Sequence, residues 1–381
     1  MTKVYLIRHG EAEGNIYRRA HGWYNGRITR NGRRQIDELA ERFRDEHIDA
    51  LYSSDLLRTQ QTAGAITKYH NLPLALEPRL REINVGAWED TPWGNLTYMY
   101  PEQMAAFNDD PDNWSAPGAE TFPQLKARML SAVLELAERH DGQTIVCVSH
   151  GMAIRSLVSM LLGVDSKQIY KVPHGDNTSV SLLEVENGQA RVVFYNDNSH
   201  LSPENSTFAR QTWWKKPGSV DGNNLRFEPL DPNREPELYK KLYADTWRAV
   251  HGSLDGFEPE CYLAAARRHF AVCPDAILKA IKNDEVIGIT ELDPIRGESE
   301  DYGWISLCYV VESERRHLLG VQLIGHAVSV FRRMGRKKLR LCVYEGNAGA
   351  IAFYSEYDFA VIGSTQGVCG TLLTMEKDLE R

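Results

Sequence analysis

The chain has 381 residues, 42% apolar and 25% charged, with a formal net charge of -8 and a pI of about 5.9. That length favours two domains over a single core, and the acidic balance argues against broad nucleic-acid binding, which draws on a basic surface. No apolar run is long enough to cross a bilayer, so no membrane partner is expected either. In chain order, residues 3–7 read as a short buried strand ending in Arg8-His9-Gly10. Residues 31–45 carry Ile36, Leu39, Ala40 and Phe43 on one helical face. A second strand, 48–53, leads into a helix to about residue 69, capped by Ser54 or Asp55. The stretch from Glu82 to Glu120 gathers Trp88, Trp93, Tyr98, Tyr100, Phe107 and Trp114 with Asp109, Asp110 and Asp112. It reads as a cap over a site, its acids suited to an amine-bearing substrate. Residues 120–140 form a long amphipathic helix, 144–149 a fully apolar strand and 152–162 a helix behind it. Residues 180–185 and 190–195 flank Asn187-Gly188, a type I′ hairpin signal. Strands alternating with helices imply a mainly parallel sheet covered on both faces.

Residues 201–224 are rich in turn formers, and the domain boundary is expected there: 1–205, a linker over 206–224, then 225–381. Trp213-Trp214 within the linker reads as a pair that docks on a domain surface. The second unit starts with a strand at 225–230 and helices around 235–250 and 258–270. A hairpin follows, 276–282 and 286–293 about Asn283-Asp284-Glu285. Then come a strand at 304–311, a helix at 319–334, a strand at 339–344, a helix at 348–356 and terminal strands at 359–363 and 370–377. The six cysteines show no Cys-x-x-Cys pair and the histidines no metal-ligand spacing, so a reducing cytoplasmic setting and no metal are expected.

Three predicted strands of the first unit end in groups suited to phosphate. The first ends at Arg8-His9, the second at Ser53-Ser54 with Arg58 one helical turn on, the third at Ser149-His150-Gly151. In a parallel sheet these ends share one edge, where ligands collect. Arginine's rigid fork of donors matches two phosphate oxygens at once, and helix N-termini add positive potential. Such a pocket answers the main demand of phosphoryl transfer, charge stabilisation.

The segments Leu6 to Glu11 with Asn15, Ser53 to Thr59, Leu80-Arg81-Glu82-Ile83, Pro117-Gly118-Ala119-Glu120-Thr121 and Val148-Ser149-His150-Gly151 occur in order. In these the chain resembles the histidine phosphatase superfamily, also called phosphoglycerate mutase-like. The resemblance implies a three-layer α/β/α fold on a mostly parallel sheet. It further implies His9 as the nucleophile forming a phosphohistidine, and Arg8, Asn15, Arg58 and His150 as phosphate-binding groups. Glu82 would protonate the leaving oxygen and then activate water, with no metal required. The compact stretch from Glu82 to Glu120 favours a phosphatase acting on a small phosphorylated metabolite over a phosphoglycerate-type mutase, the alternative.

In the second unit, a strand, the loop Arg315-Arg316-His317-Leu318-Leu319-Gly320 and a helix form a possible anion site. With Asn347, Ala350, Phe353-Tyr354 and Phe359, this resembles the GNAT superfamily of N-acetyltransferases, a mixed α/β fold. Leu318 and Asp358 stand where the family has glycines. The resemblance implies that backbone amides of Leu318, Leu319, Gly320, Val321 and Gln322 cradle the pyrophosphate of acetyl-CoA. Asn347 would contact the cofactor arm, and Tyr354 would protonate the departing thiolate. Glu291 is a candidate base for a small amine acceptor. Together the two resemblances imply a bifunctional enzyme, or a phosphatase regulated by an acetyl-CoA-sensing, non-catalytic second half. Nothing in the pattern specifies an oligomer.

Overall fold

A computed structural model describes residues 1–209, 222–367 and 370–380. Of the stretch expected as a linker, only 206–209 and 222–224 are described, and Trp213 and Trp214 lie outside the described residues. The described residues divide into two compact units, drawn mainly from those before residue 210 and those after 221.

The first unit runs β1 (Thr2–Arg8), α1 (Glu13–Tyr17), α2 (Arg30–Phe43), β2 (Ala50–Ser53), α3 (Leu57–Thr67) and β3 (Leu74–Leu76). It continues through α4 (Trp93–Met99), α5 (Pro101–Asp109), α6 (Phe122–Arg139), β4 (Thr144–Ser149), α7 (Gly151–Leu161), β5 (Val180–Glu186) and β6 (Gln189–Asp197). The sheet order is β3-β2-β4-β1-β5-β6. Strands β3, β2, β4 and β1 are mutually parallel, while β5 and β6 are antiparallel additions. Strand β4 is buried on both faces, which its unbroken apolar run permits. Ile7, Val146 and Val148 pack with Leu39, Phe43, Ala63 and Ile66 from α2 and α3. The alternate residues Leu6, Ile145 and Cys147 are equally buried, so helices cover both faces.

Local chemistry sets the ends of these elements. Thr121 and Gln124 form a capping box at the start of α6. Asn187 and Gly188 have φ of 51° and 72°, the two positive values of a type I′ turn. Helix α3 departs from expectation. Its N-cap is Leu56 with no side-chain bond, while Ser54 Oγ, two residues earlier, accepts the Leu56 N–H at 3.3 Å and meets His150 Nε2 at 2.9 Å. The aromatic stretch is partly helical. Its rings Trp88, Phe107 and Trp114 cluster with Phe122 of α6, Trp114 lying 5.3, 5.2 and 5.8 Å from the other three. Two of its acids have structural partners: Asp112 pairs with Lys126 of α6 at 2.6 Å, and Asp110 accepts from Asn113 at 2.7 Å.

The second unit runs β7 (Arg226–Pro229), α8 (Pro236–His251), α9 (Pro259–Val272), β8 (Ile277–Lys282), β9 (Glu285–Asp293) and β10 (Tyr302–Val310). It closes with α10 (Gly320–Arg333), β11 (Lys338–Tyr344), α11 (Ala348–Glu356), β12 (Ala360–Gly367) and β13 (Gly370–Asp378). The sheet order is β12-β13-β11-β10-β9-β8-β7, with β10 and β11 its parallel pair. Their pairing stops at Ile305↔Leu341. Beyond that point β10 follows β9 to Val310, with a register shift between Ile305 and Leu307, and β11 follows β13 to Tyr344. The two parallel strands therefore part at their carboxyl ends, opening a wedge in the sheet.

Candidate functional sites

In the first unit, register brings the strand ends together: Arg8 lies opposite Ser149 and Ser53 opposite Val148. The ladder extends one residue further, with His9 N–H donating to Ser149 O and Ser54 N–H to Val148 O, both at 3.0 Å. His9 and His150 consequently face one another, ring centroids 5.3 Å apart. Gly151 follows immediately, and a Cβ there would sit 3.1 Å from Arg8 Nε.

The proton positions follow from the partners. His9 Nδ1 is 2.7 Å from the Gly10 carbonyl, which can only accept. Nδ1 therefore carries the hydrogen and Nε2 the lone pair. Ser54 Oγ accepts from Leu56 N–H at 3.3 Å and keeps its own hydrogen, which can be given to His150 Nε2; in that arrangement the His150 hydrogen sits on Nδ1. That Nδ1, like Arg8 Nε, is buried without a hydrogen-bond partner among the described residues. Arg8 Nε and His150 Nδ1 are thus both held inside the protein near the His9 ring. Burial foremost, then the charges of Arg58 and Arg8, hold His9 well below the ordinary histidine range. Burial, Arg58 and the neighbouring His9 do the same to His150.

The guanidinium groups are braced from behind. Arg58 is 2% exposed and donates to the carbonyls of Tyr24, Gly22 and His21 at 2.9, 2.7 and 3.4 Å. Burial lowers it to about 10, against the raising influence of Glu82 and Glu89. Arg8 donates through Nη1 to the Gly175 carbonyl. Asn15 Oδ1 accepts from Ala12 N–H at 2.9 Å and Asn177 Nδ2 at 3.4 Å, so the end suited to an anion is its NH2 group. Glu82 accepts three backbone N–H groups, from Ile83 (2.9 Å), Ala153 (2.9 Å) and Met152 (3.0 Å). Oε1 accepts two of these and Oε2 one, so the second lone pair of Oε2 is left for a proton.

Several supporting residues carry no local sequence signal. Arg128 donates to the carbonyls of Arg79, Arg81 and Glu82 at 2.7, 2.8 and 2.8 Å while paired with Glu120 at 2.6 Å. It thereby fixes the Glu82 turn. Glu89 accepts the N–H groups of Gly22, Trp23 and Tyr24 at 3.2, 2.6 and 2.8 Å, shaping the loop whose carbonyls hold Arg58. Asn177 Nδ2 donates to the His9 carbonyl at 3.0 Å.

In the second unit, Tyr354 is buried with its hydroxyl beside the Cys308 thiol, on the part of β10 that departs from β11. Burial pushes the tyrosine well above its ordinary range and lifts Cys308 to about 11, so both keep their protons at neutral pH. Leu318 has a φ of 59° and Asp358 one of 65°. Both glycine substitutes therefore hold the left-handed backbone that glycine adopts without strain. Leu318 is 55% exposed, and Leu319 and Val321 are buried. A Cβ on Gly320 would lie 3.1 Å from the Phe353 ring, so α10 begins against α11. Gln322 donates its backbone N–H to Leu319 O at 3.1 Å. Its side chain holds Leu225 N–H and the Asn223 carbonyl at 2.9 and 2.7 Å. Asn347 caps α11 through Ala350 N–H at 3.0 Å. Glu291 is engaged at both oxygens, by Tyr239 at 2.7 Å and His269 Nδ1 at 2.8 Å. It belongs to a buried chain rather than being presented to an amine. The glycine-like turn, the helix start and the opened strands nevertheless fit a pyrophosphate-bearing cofactor.

The two depressed histidines fix a pH dependence. Below about pH 6.5 the unfolded chain protonates both rings while the folded protein does not. Stability from this source is present above that pH and is lost as pH falls through it. Side-chain 15N NMR should show both rings still neutral at pH values where an ordinary histidine has taken up its proton, with the urea midpoint falling over the same interval. Native-state protonation of either ring near pH 6.5 would contradict this.

Comparisons with known proteins bear on both units. Residues 4–198 match the family described as Histidine phosphatase superfamily (branch 1), and residues 238–359 match Acetyltransferase (GNAT) family. Phosphoserine phosphatase 1 of Hydrogenobacter thermophilus is 32% identical over 201 residues, 53% of this chain and 95% of the relative. A probable phosphoglycerate mutase GpmB of Yersinia pestis is 38% identical over 164 residues, 43% of this chain and 76% of the relative. Among solved structures, Bacillus stearothermophilus YhfR superposes with a TM-score of 0.51 at 30% identity, covering 52% of this chain and 99% of that one. The strand-end cluster and these matches agree: the chain belongs to the histidine phosphatase superfamily and carries a GNAT-family domain after it.

Proposed function

We propose that this chain is a metal-independent phosphomonoester hydrolase acting through a phosphohistidine, joined to an acetyl-CoA-dependent N-acetyltransferase. Residues 1–205 would form the first domain and 225–381 the second, joined by 206–224. The observation that carries the first activity is the fixed His9 ring, neutral and hydrogen-bonded through Nδ1, between buried guanidinium groups. Its Nε2 lone pair attacks phosphorus while the bond from phosphorus to the leaving oxygen breaks. Arg8, Arg58, His150 Nδ1 and the Asn15 NH2 take the charge on the remaining oxygens. Glu82 gives its proton to the leaving oxygen, then removes one from the water that cleaves the phosphohistidine. Loss of one such donor costs on the order of 10²-fold or more in rate.

In the second domain, acetyl-CoA supplies an activated acetyl group when bound. Amides of Leu318 to Val321 would hold its pyrophosphate, the Gln322 amide being engaged by the Leu319 carbonyl; Asn347 would lie along its arm, and Tyr354 would give the thiolate a proton. A small phosphorylated metabolite that also bears an amine suits both halves, as the name of the phosphoserine phosphatase relative suggests. The relative named as a probable phosphoglycerate mutase favours a second reading, isomerisation without net phosphate release. The described cysteines are unpaired, which supports a reducing, cytoplasmic setting.

A metabolite-phosphate panel, run with and without acetyl-CoA, tests the whole reading. Phosphate release is expected, with products serving as acetyl acceptors; bisphosphate-dependent isomerisation alone would select the mutase. His9→Ala should abolish both turnover and acid-quenched phosphoenzyme, and retained turnover would reject His9 as nucleophile. Tyr354→Phe should slow acetyl transfer with little change in acetyl-CoA affinity, and full activity would reject its acid role. Leu318→Gly relieves a left-handed leucine and should stabilise the fold by about 1 kcal/mol while tightening acetyl-CoA binding. Unchanged or weaker binding by calorimetry would show that the leucine does not crowd the cofactor loop.

A further inference from the structure

The Arg8 guanidinium has one neighbour that the family match does not supply. That match ends at residue 198, yet Phe208 is 8% exposed and the Arg8 guanidinium carbon lies 5.7 Å from its ring centroid. The segment leading to this ring is pinned at every residue. Asn205 O accepts from Gln35 Nε2 at 2.7 Å and Asn31 Nδ2 at 3.1 Å. Ser206 Oγ donates to Asp176 Oδ2 at 2.6 Å, and Phe208 N–H donates to Asp176 Oδ1 at 3.3 Å. Thr207 Oγ1 accepts from Gln35 Nε2 at 2.9 Å and donates to Glu11 Oε2 at 3.2 Å.

Three of these anchors belong to the phosphate site's own framework. Glu11 is two residues from His9. Gln35 Oε1 accepts the Glu11 N–H at 2.7 Å. Asp176 sits between Gly175, whose carbonyl holds Arg8 Nη1, and Asn177, which holds the His9 carbonyl. The Asp176 charge also offsets the effect of burial on Arg8. A ring against a guanidinium fixes the plane of the fork and excludes water from it, which strengthens its pull on an anion.

We propose that residues 205–208 form a strap in which Phe208 is a positioning residue that orients Arg8 for phosphate. The strap lies at the start of the stretch read from sequence as linker, so the connection between the two catalytic halves begins inside the phosphate site. This rests on the phosphatase reading for its meaning, but its test does not depend on turnover.

The test measures orthovanadate affinity of the full-length protein by calorimetry, alongside kcat/KM on a hydrolysed phosphomonoester. Phosphate-site affinity should weaken by about 3- to 10-fold in Phe208→Leu, which keeps bulk but removes the π face. Phe208→Tyr, which keeps that face, should stay within about twofold of the parent protein. In an Arg8→Lys background, Phe208→Leu should add less than about twofold, because the two residues act as one unit. Parent-like vanadate affinity in Phe208→Leu would overturn the proposal. So would an equal loss in both backgrounds, which marks a merely structural ring. A parent protein that binds vanadate but hydrolyses nothing rejects the phosphatase reading, while the affinity comparison still decides the strap. Absence of vanadate binding by the parent protein overturns both.

Discussion

Two guanidinium groups and two imidazoles are buried within electrostatic reach of one another, and the rest of the first unit is arranged to make that tolerable. Burial and mutual repulsion forbid charge on the rings, so His9 and His150 stay neutral. The guanidinium groups keep theirs because other groups embrace them from behind. Carbonyls of the 21–24 loop receive Arg58, and the Gly175 carbonyl with the Asp176 charge receives Arg8. Each brace has its own brace, Glu89 for the loop and Arg128 for the Glu82 turn. Donors so fixed need no rearrangement when negative charge develops, which is where catalytic advantage arises.

The second unit solves a different problem with its backbone. Parting β10 from β11 leaves main-chain groups without ladder partners at the open ends, where a ligand is able to meet them. Leu318 and Asp358 are held at positive φ, in turns that glycine would adopt without strain. Such conformations cost about 1–2 kcal/mol each and persist only where surrounding structure imposes them.

The parts legible in the sequence were those with short-range causes. Arg8, His9, Arg58 and His150 announced themselves because each follows an apolar strand, and parallel strands end at one edge. Asn187-Gly188 and Asn283-Asp284 announced hairpins because both positions of each turn take positive φ. What escaped was set by distant partners. Ser54 reads as a helix cap and does accept the Leu56 N–H, but nothing local marks its second partner, His150, 96 positions away. Strand β3 is three residues long, too short for a period to show. Asp176 is tied to Ser206 and Phe208, about 30 positions on, with no local pattern to mark the pairing. Glu291 looked like a base because it is an acid on a central strand, whereas Tyr239 and His269 engage both its oxygens.

The most direct measurement of the central claim is a crystal structure of the full-length protein with orthovanadate. The account predicts vanadium bonded to His9 Nε2, with Arg8, Arg58 and His150 Nδ1 donating to its equatorial oxygens. Vanadate bound elsewhere, or seated among these groups with the His9 ring turned so that Nε2 faces away from it, would contradict the account.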